Sequence, residues 1–485
     1  MKTVVVGAGI GGLATAIRLA VRGDDVTVVE QAPKPGGKLN ELRINGFRFD
    51  AGPSLFTLPN LVEELIDLVG EDRSIFPYEK LDRSCHYFWD DGTHFIAYAD
   101  RPKLLKEIQA QFKTDPKPVD QHLKKSAFLY EYTASLFMER SLHKMSSYLS
   151  MDVLKALVRV GKLQLNESMH NANRGRLEHP KLVQVFNRYA TYNGSDPYRA
   201  PGVLNIIPHL EHNIGTFFPK KGMYQISQTL VHLAEKAGVK FKLNEKVHQI
   251  KVEKGKVNAV VTEKETITAD RVVSNADVFP TYRHLLKDQK APEGILARER
   301  SSSALIYYWG IDRTFDQLHL HNILFSEDYK QEFQMLFEGK EISEDPTVYI
   351  NITSKCQPKD APEGCENWFV MINVPANKGQ NWEELIRAAR KSIVAKINRI
   401  LDVNIEDHII AEDRLDPVTI ESRTSSYMGS LYGTSSNDKM AAFLRHPNFT
   451  RSIKGLYFSG GSVHPGGGIP LCLLSAKIID QIAHD

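Results

Sequence analysis

MKTVVVGAGIGGLATAIRLAVRGDDVTVVE, residues 1–30, reads as a strand, a glycine turn, a helix and a second strand. Val4, Val5 and Val6 form a β-branched run suited to a buried parallel strand. Gly7, Gly9 and Gly12 follow with G-x-G-x-x-G spacing, Leu13 to Arg22 reads as a helix, and Asp25 to Glu30 is a second strand ending on an acid. Each glycine has a physical task. The first makes a tight turn, the second lets backbone approach a pyrophosphate, and the third lets the helix pack on the strand. The helix N-terminus then presents its positive dipole end to phosphates. Glu30 stands where a carboxylate accepts hydrogen bonds from ribose hydroxyls, and its charge would repel a 2′-phosphate, which disfavours NADP. Strand, helix and terminal acid in register predict a dinucleotide site.

The rest of the composition narrows the class. A chain of 485 residues is long for one domain, so two or three are expected. Sixty-one basic and 59 acidic residues leave a net charge of +2, which gives no electrostatic footprint for nucleic acid. Cys85, Cys356, Cys365 and Cys472 show no C-x-x-C or His-rich spacing. No metal site and no disulfide framework is expected, and a reducing cytoplasm is the expected compartment. The first strand starts at residue 2, leaving no room for a leader, and no apolar run reaches the eighteen or so residues of a membrane span. The expectation is a soluble protein, attached at most to a membrane surface.

FAD and NAD are separated by what lies beyond Glu30. Pro35-Gly36-Gly37-Lys38 suits a second pass of backbone beside a pyrophosphate, with Lys38 adding a point charge. Taken alone it is also a plain turn before a hairpin. Residues 238–277, GVKFKLNEKVHQIKVEKGKVNAVVTEKETITADRVVSNAD, alternate as strands about a Lys254-Gly255-Lys256 turn and end in a buried-looking strand at Arg271 to Ser274. Residues 455–485, GLYFSGGSVHPGGGIPLCLLSAKIIDQIAHD, are again strand, glycine turn and helix, with Pro470 placed for a first helical turn. A second glycine-rich helix start at the far end of the chain calls for a ligand long enough to reach it. FAD is such a ligand.

Six segments in order carry a resemblance over nearly the whole length: the N-terminal motif, FDAGPSLFTLP, YNGSDPYRAPG, FFPKKGMYQISQTL, VVSNADV and HPGGGIPLCLLSAK. The chain resembles the carotenoid desaturase family of flavoproteins. Its Gly36-Gly37-Lys38 and Asp50-Ala51-Gly52-Pro53-Ser54-Leu55-Phe56-Thr57 are most similar to those of members that introduce the 3,4 double bond at the acyclic end of a hydroxylated carotenoid. Phytoene-specific members usually have arginine after the glycine pair and bulkier aromatics after Gly-Pro-Ser. The resemblance implies an α/β fold: a Rossmann-like FAD-binding domain of the glutathione reductase and amine oxidase type, with a discontinuous substrate domain of mixed β-sheet and a helical cap. The implied division is 1–74, 222–284 and 448–485 for FAD, 75–100, 205–221 and 285–447 for substrate, and 101–204 for the cap. Gly7, Gly9, Gly12, Glu30, Gly37 and Lys38 are implied to hold the ADP part of FAD, with Ile10, Gly36, Gly52 and Asn275 in the same cofactor-binding set. Val247 is implied to reach the adenine through its backbone, while Gly460, Gly461, Gly467, Gly468 and Ile469 lie along the ribityl chain and flavin. Many flavoproteins of the wider group carry an aspartate after the glycine near Gly460. Gly461 and Ser462 stand here instead, so those contacts fall to backbone or hydroxyl. Pro53, Ser54, Leu55 and Phe56 are the implied substrate contacts.

The chemistry fits this reading. Loss of hydride beside a long polyene leaves a cation spread along the chain, which makes neighbouring hydrogens acidic. A strong base is then unnecessary, in keeping with the absence of any Ser-His-Asp, Cys-His or paired-carboxylate context. His464 is a candidate base, with a structural histidine satisfying turn backbone as its preferred role. Glu139, Arg140, Asp196 and Glu211 are further polar candidates, none assigned a catalytic role. Pro102 to about Leu165 reads as successive amphipathic helices. In residues 148–165, Val153, Leu154, Leu157, Val158 and Val160 oppose Lys155, Arg159 and Lys162, which suits either the core or an anionic membrane surface. Ser301–Ile311, Thr347–Thr353 and Trp368–Val374 read as strands of a substrate sheet, with a long polar loop over Ser326–Pro346. Competing readings are a phytoene desaturase making several double bonds, a carotenoid isomerase or saturase, an amine oxidase-like enzyme, and a non-catalytic FAD-binding escort protein.

Overall fold

The computed structural model describes residues 1–144, 163–438 and 444–484. Lys2–Val6 is the centre of a five-stranded parallel sheet with the order Leu456–Phe458, Arg271–Ser274, Lys2–Val6, Asp25–Val29 and Lys240–Lys242. Alternate residues of these strands serve two cores, as a strand covered on both faces requires. Val5, Val28 and Val273 meet the helices Ile10–Val21, Tyr224–Lys236 and Ile469–Ile482 on one face. Val4, Val6, Val29 and Val272 meet a three-stranded antiparallel sheet, Val247–Glu253, Lys256–Thr262 and Thr266–Thr268, on the other. The turn expected at Lys254-Gly255 joins the first two of these, with both residues at positive φ.

The first helix begins at Ile10, three residues before the expected Leu13. Glycines lower helix propensity, so Gly11 and Gly12 read as turn in sequence. Packing overrides that: a β-carbon on Gly12 would sit 2.3 Å from the Gly7 carbonyl oxygen, so only glycine lets this helix lie so close to its strand.

A second, seven-stranded sheet runs Ile409–Leu415, Ser303–Ile311, Glu366–Val374, Val348–Ile352, His321–Leu324, Arg83–Phe88 and His94–Tyr98. Neighbours are antiparallel except for the parallel pair His321–Leu324 and Arg83–Phe88. One face packs Leu305, Tyr307, Trp309, Trp368 and Val370 beneath the helix Trp382–Leu401. The opposite face carries Ala304, Ile306, Tyr308, Phe369 and Met371.

Helices Arg101–Phe112, Lys117–Phe137, Met169–Arg174 and Pro180–Asn187 form a layer whose Leu104, Ile108, Leu182 and Phe186 pack on Tyr87 and Phe95 of this sheet. Residues 145–162, which hold Lys155, Arg159 and Lys162, lie outside the described residues. The polar loop expected over Ser326–Pro346 contains a helix, Tyr329–Gln334, started by the Asp328 carboxylate accepting from the Gln331 N–H, and a wider turn at Met335–Gly339. Tyr329 and Phe333 anchor it in the core at a spacing of four. No helix among the described residues is long and apolar enough to cross a membrane.

Candidate cofactor and substrate site

A cavity of about 1370 Å³ runs from the glycine turns of the parallel sheet to the open face of the seven-stranded sheet. Single small-ligand sites occupy about 300–1,000 Å³, so a dinucleotide and a second ligand fit together. Gly7, Gly9, Ile10, Glu30, Gly36, Gly37, Lys38, Gly52, Val247, Asn275, Gly460, Gly461, Gly467, Gly468 and Ile469 all line it. Gly12 is absent from the wall because its place is in the helix–strand contact.

The dinucleotide end is built from backbone. Neither Ile10–Val21 nor Ile469–Ile482 has a side-chain cap, and Gly9 and Gly468, their N-cap residues, both face the cavity. Uncapped first-turn N–H groups need an acceptor, and phosphate or flavin oxygens supply one. Gly9 and Gly36 form a parallel bridge, so the second glycine turn lies along the first. A β-carbon on Gly52 would lie 1.8 Å from the Lys38 carbonyl oxygen, which shows how closely the segment after Asp50 crosses the glycine pair.

Glu30 is held at the end of its strand by two backbone donors. Its carboxylate accepts from the Ala8 N–H at 2.7 Å and the Ala32 N–H at 2.8 Å, one on each oxygen. Each oxygen retains a lone pair for a ribose hydroxyl. The Glu245 N–H donates to the Glu30 carbonyl at 3.0 Å, bringing Val247 to the same end. Asn275 donates to the Ser459 carbonyl at 3.1 Å and ties two strand ends together. The Ser462 hydroxyl accepts from the Val278 N–H at 3.0 Å while still lining the cavity.

Lys38 differs from the expected point charge beside a pyrophosphate. Its ammonium donates to the carbonyls of Ser430 at 3.0 Å and Leu431 at 2.8 Å. Burial lowers its pKa to about 8, against the pull of Asp277 and Cys472.

Two candidates leave the site. Phe56 is fully buried, bridges Phe217 in backbone pairing and packs edge-on against Phe76 and Tyr78, so it belongs to the core. Pro53, Ser54 and Leu55 do line the cavity. His464 lies off the cavity wall, with its Nε2 on the Arg140 carbonyl at 2.8 Å. Burial lowers its pKa to about 4 despite that carbonyl. This contact is the kind a histidine satisfying turn backbone makes. Asp196 also lies off the wall; its carboxyl, raised to about 6 by burial, accepts from the Tyr198 N–H.

A row of directly paired residues crosses the seven-stranded sheet, and all of them but Tyr87 line the cavity. Leu415, Ile306, Met371, Tyr349, Ile323 and Tyr87 face one another across six strands. Cross-strand partners share a face, so they make one row about 24 Å long at a strand spacing of about 4.8 Å. Ala51–Leu55 crosses above it, with the Tyr308 hydroxyl on the Ala51 carbonyl at 3.3 Å and the Ser54 hydroxyl 2.8 Å from that of Tyr349. Arg188, Tyr192, Tyr329 and Thr347 add polar groups to the wall that the sequence reading did not single out. Glu211, one of the unassigned candidates, is buried behind Arg188 and Tyr192.

The family model for flavin containing amine oxidoreductases matches residues 10–478. The chain belongs to that family. It is 53% identical over 477 residues to the 1-hydroxycarotenoid 3,4-desaturase of Flavobacterium sp. (strain P99-3), covering 98% of each chain. It is 32% identical to the 4,4'-diapolycopene oxygenase of Methylomonas sp, covering 100% of this chain and 98% of that one. Among solved structures, the cyclohexylamine oxidase of Brevibacterium oxydans IH-35A aligns with a TM-score of 0.65 at 14% identity, over 100% of this chain and 98% of that one. That likeness shows the fold. The flavoenzyme is therefore an FAD-dependent oxidoreductase, and the uncapped helix starts, the cavity-lining Glu30 and the glycine crossings are the parts of this member that fit FAD.

Proposed function

We propose that the protein is a carotenoid desaturase that introduces the 3,4 double bond at the acyclic, 1-hydroxylated end of an already conjugated carotenoid. The observation that carries this reading is the continuity of one cavity from the glycine cradle to the apolar row Leu415, Ile306, Met371 and Ile323, a shape suited to a long hydrocarbon. The 53% identity to a relative bearing that activity in its name supports the same substrate class. Phytoene has a short triene, whereas an extended polyene spreads the developing cation further and loses hydride more readily.

FAD, when bound, supplies the two-electron acceptor for hydride. One hydrogen leaves as hydride with the electron pair of its C–H bond, the neighbouring hydrogen leaves as a proton to a water or other weak base at the polar part of the cavity, and the electrons of that second bond become the new C=C. The chain's own part is to hold the polyene flat on the sheet and exclude water from the row. The Ala51–Leu55 segment closes the row from above. In this reading 1–74, 222–284 and 448–485 hold FAD, 75–100, 205–221 and 285–447 hold substrate, and 101–204 is the cap.

The enzyme docks on the membrane that stores its substrate, through Lys155, Arg159 and Lys162. Neutralising all three lowers binding to anionic liposomes, each cation contributing on the order of 1 kcal/mol. Unaltered co-sedimentation at low salt contradicts this docking. The substrate assignment is tested by expressing the protein in cells that make different acyclic carotenoids. A one-step red shift of the pigment is expected from the hydroxylated, conjugated substrate. Colour arising from phytoene, with the hydroxylated carotenoid untouched, makes the phytoene desaturase the correct reading.

A further inference from the structure

The apolar row ends on a buried polar cluster whose composition fits no hydrocarbon. At its last strand the Tyr87 hydroxyl accepts from Arg188 Nη2 at 2.7 Å. The same nitrogen faces the Glu211 carboxylate at 3.4 Å, and Nη1 donates to the Tyr192 hydroxyl at 3.3 Å. Tyr189 donates to Glu211 at 2.8 Å, and Tyr192 donates to its second oxygen. Burial alone would raise the Glu211 carboxyl, but Arg188, with His212 and the two phenols, outweighs it and holds it below the usual carboxylate range. The pair is thus an ionised and internally neutral Arg–Glu couple.

Its donors exceed its acceptors. A guanidinium carries five N–H groups. Arg188 is nine-tenths buried and lines the cavity, yet its Nε has no hydrogen-bond partner among the described residues. Tyr329 lines the same cavity at 6% exposure, and its hydroxyl makes no hydrogen bond among the described residues. Arg188, Tyr192, Tyr329 and Tyr349 all line this one cavity. Unpaired donors in an apolar chamber are costly, and a ligand that supplies an acceptor relieves them. Because Glu211 already balances Arg188, an anionic ligand would bring an uncompensated charge. A neutral oxygen would not.

We infer that the recess formed by Arg188, Tyr192, Tyr329 and Tyr349 receives a neutral oxygen function of the carotenoid, a hydroxyl or keto group, and selects oxygenated chains over all-hydrocarbon ones. The inference rests on the carotenoid reading and names the residues that would set its substrate preference. A site whose donors are already desolvated rejects an analogue lacking the acceptor more strongly than an apolar pocket rejects an extra methylene. The contact can be made by a hydroxyl at the reacting end or by an oxygen at the opposite end of the chain.

The test uses purified holoenzyme and three substrates: an all-hydrocarbon acyclic carotene, the same chain hydroxylated at the reacting end, and the same chain hydroxylated at the opposite end. The wild type is expected to prefer one hydroxylated form over the hydrocarbon by about ten- to a hundredfold in kcat/KM, and the preferred form identifies which end enters the recess. In Tyr329→Phe, and in Arg188→Lys, which keeps the charge opposite Glu211, that ratio falls towards one, with the change expressed in KM. A merely structural role lowers all three substrates equally and leaves the ratio intact. An intact ratio in both variants, with flavin content preserved, overturns the inference alone. A wild type that converts none of the three overturns the carotenoid reading beneath it.

Discussion

Glu30 and His464 illustrate how a single side chain's partners decide its part. Glu30 is fixed by the Ala8 and Ala32 N–H groups yet keeps lone pairs towards the cavity. Glu30→Arg removes the ribose acceptor and is expected to weaken FAD by about 1.5–3 kcal/mol, or roughly ten- to a hundredfold. Flavin content of the purified variant checks this, and an unchanged content contradicts the placement. His464 has its Nε2 committed to the Arg140 carbonyl, away from the cavity wall. A general base contributes about 10²–10⁴ in rate. His464→Gln is therefore expected to lose less than about tenfold in kcat once corrected for bound flavin, and a loss in the full general-base range would restore the base assignment. Phe56 shows where residue-level reading fails. Ser54 and Leu55 face the cavity, but the Phe56–Phe217 bridge turns the next side chain into the core, and that partner lies 161 positions away in the chain.

Elements closed by local contacts were legible, and those closed by distant ones were not. Val4–Val6 and the glycine turn announce themselves because strand, turn and helix adjoin in the chain and each constrains the next. The strands of the seven-stranded sheet are visible one by one in their β-branched and aromatic runs. Their common row is not, since Ile306, Met371, Tyr349 and Ile323 become neighbours only through register. Arg188 escaped for the same reason: it precedes the YNGSDPYRAPG segment by four residues, and Glu211 comes from another helix. The helix start at Ile10 was hidden because glycine is a poor helix former in isolation and indispensable at a close contact. That contact makes a prediction. Gly12→Ala places a β-carbon against the Gly7 carbonyl and the Asn275 side chain, so it is expected to destabilise the fold by about 1–3 kcal/mol and to lower flavin content together with it. Chemical denaturation alongside flavin absorbance checks this, and a variant of unchanged stability contradicts the close packing.

At the scale of the molecule, the parallel sheet and the seven-stranded sheet share one chamber, and the burial that builds their cores leaves a signature in pH. His86, His122, His212, His321, His446 and His464 are all buried, and burial lowers the pKa of each, to about 3 for His86, His122 and His321 and to about 4 for the others. The unfolded chain binds these protons below about 6.5 while the folded one does not. Stability is therefore expected to fall as pH drops from about 6.5 towards 4, the Asp196 carboxyl opposing the trend over part of that window. Denaturant midpoints measured across pH 4–8 check the sign; a flat or rising stability on acidification contradicts it. In the proposed function the chamber brings the glycine cradle and the apolar row to serve one FAD-dependent desaturation. Its most direct test is an anaerobic single turnover of purified holoprotein with a 1-hydroxylated, conjugated acyclic carotenoid, following the flavin spectrum and the mass of the extracted pigment. The flavin is expected to be reduced and the carotenoid to lose two hydrogens, one equivalent for each flavin. A flavin that stays oxidised, with the carotenoid recovered unchanged, would contradict it.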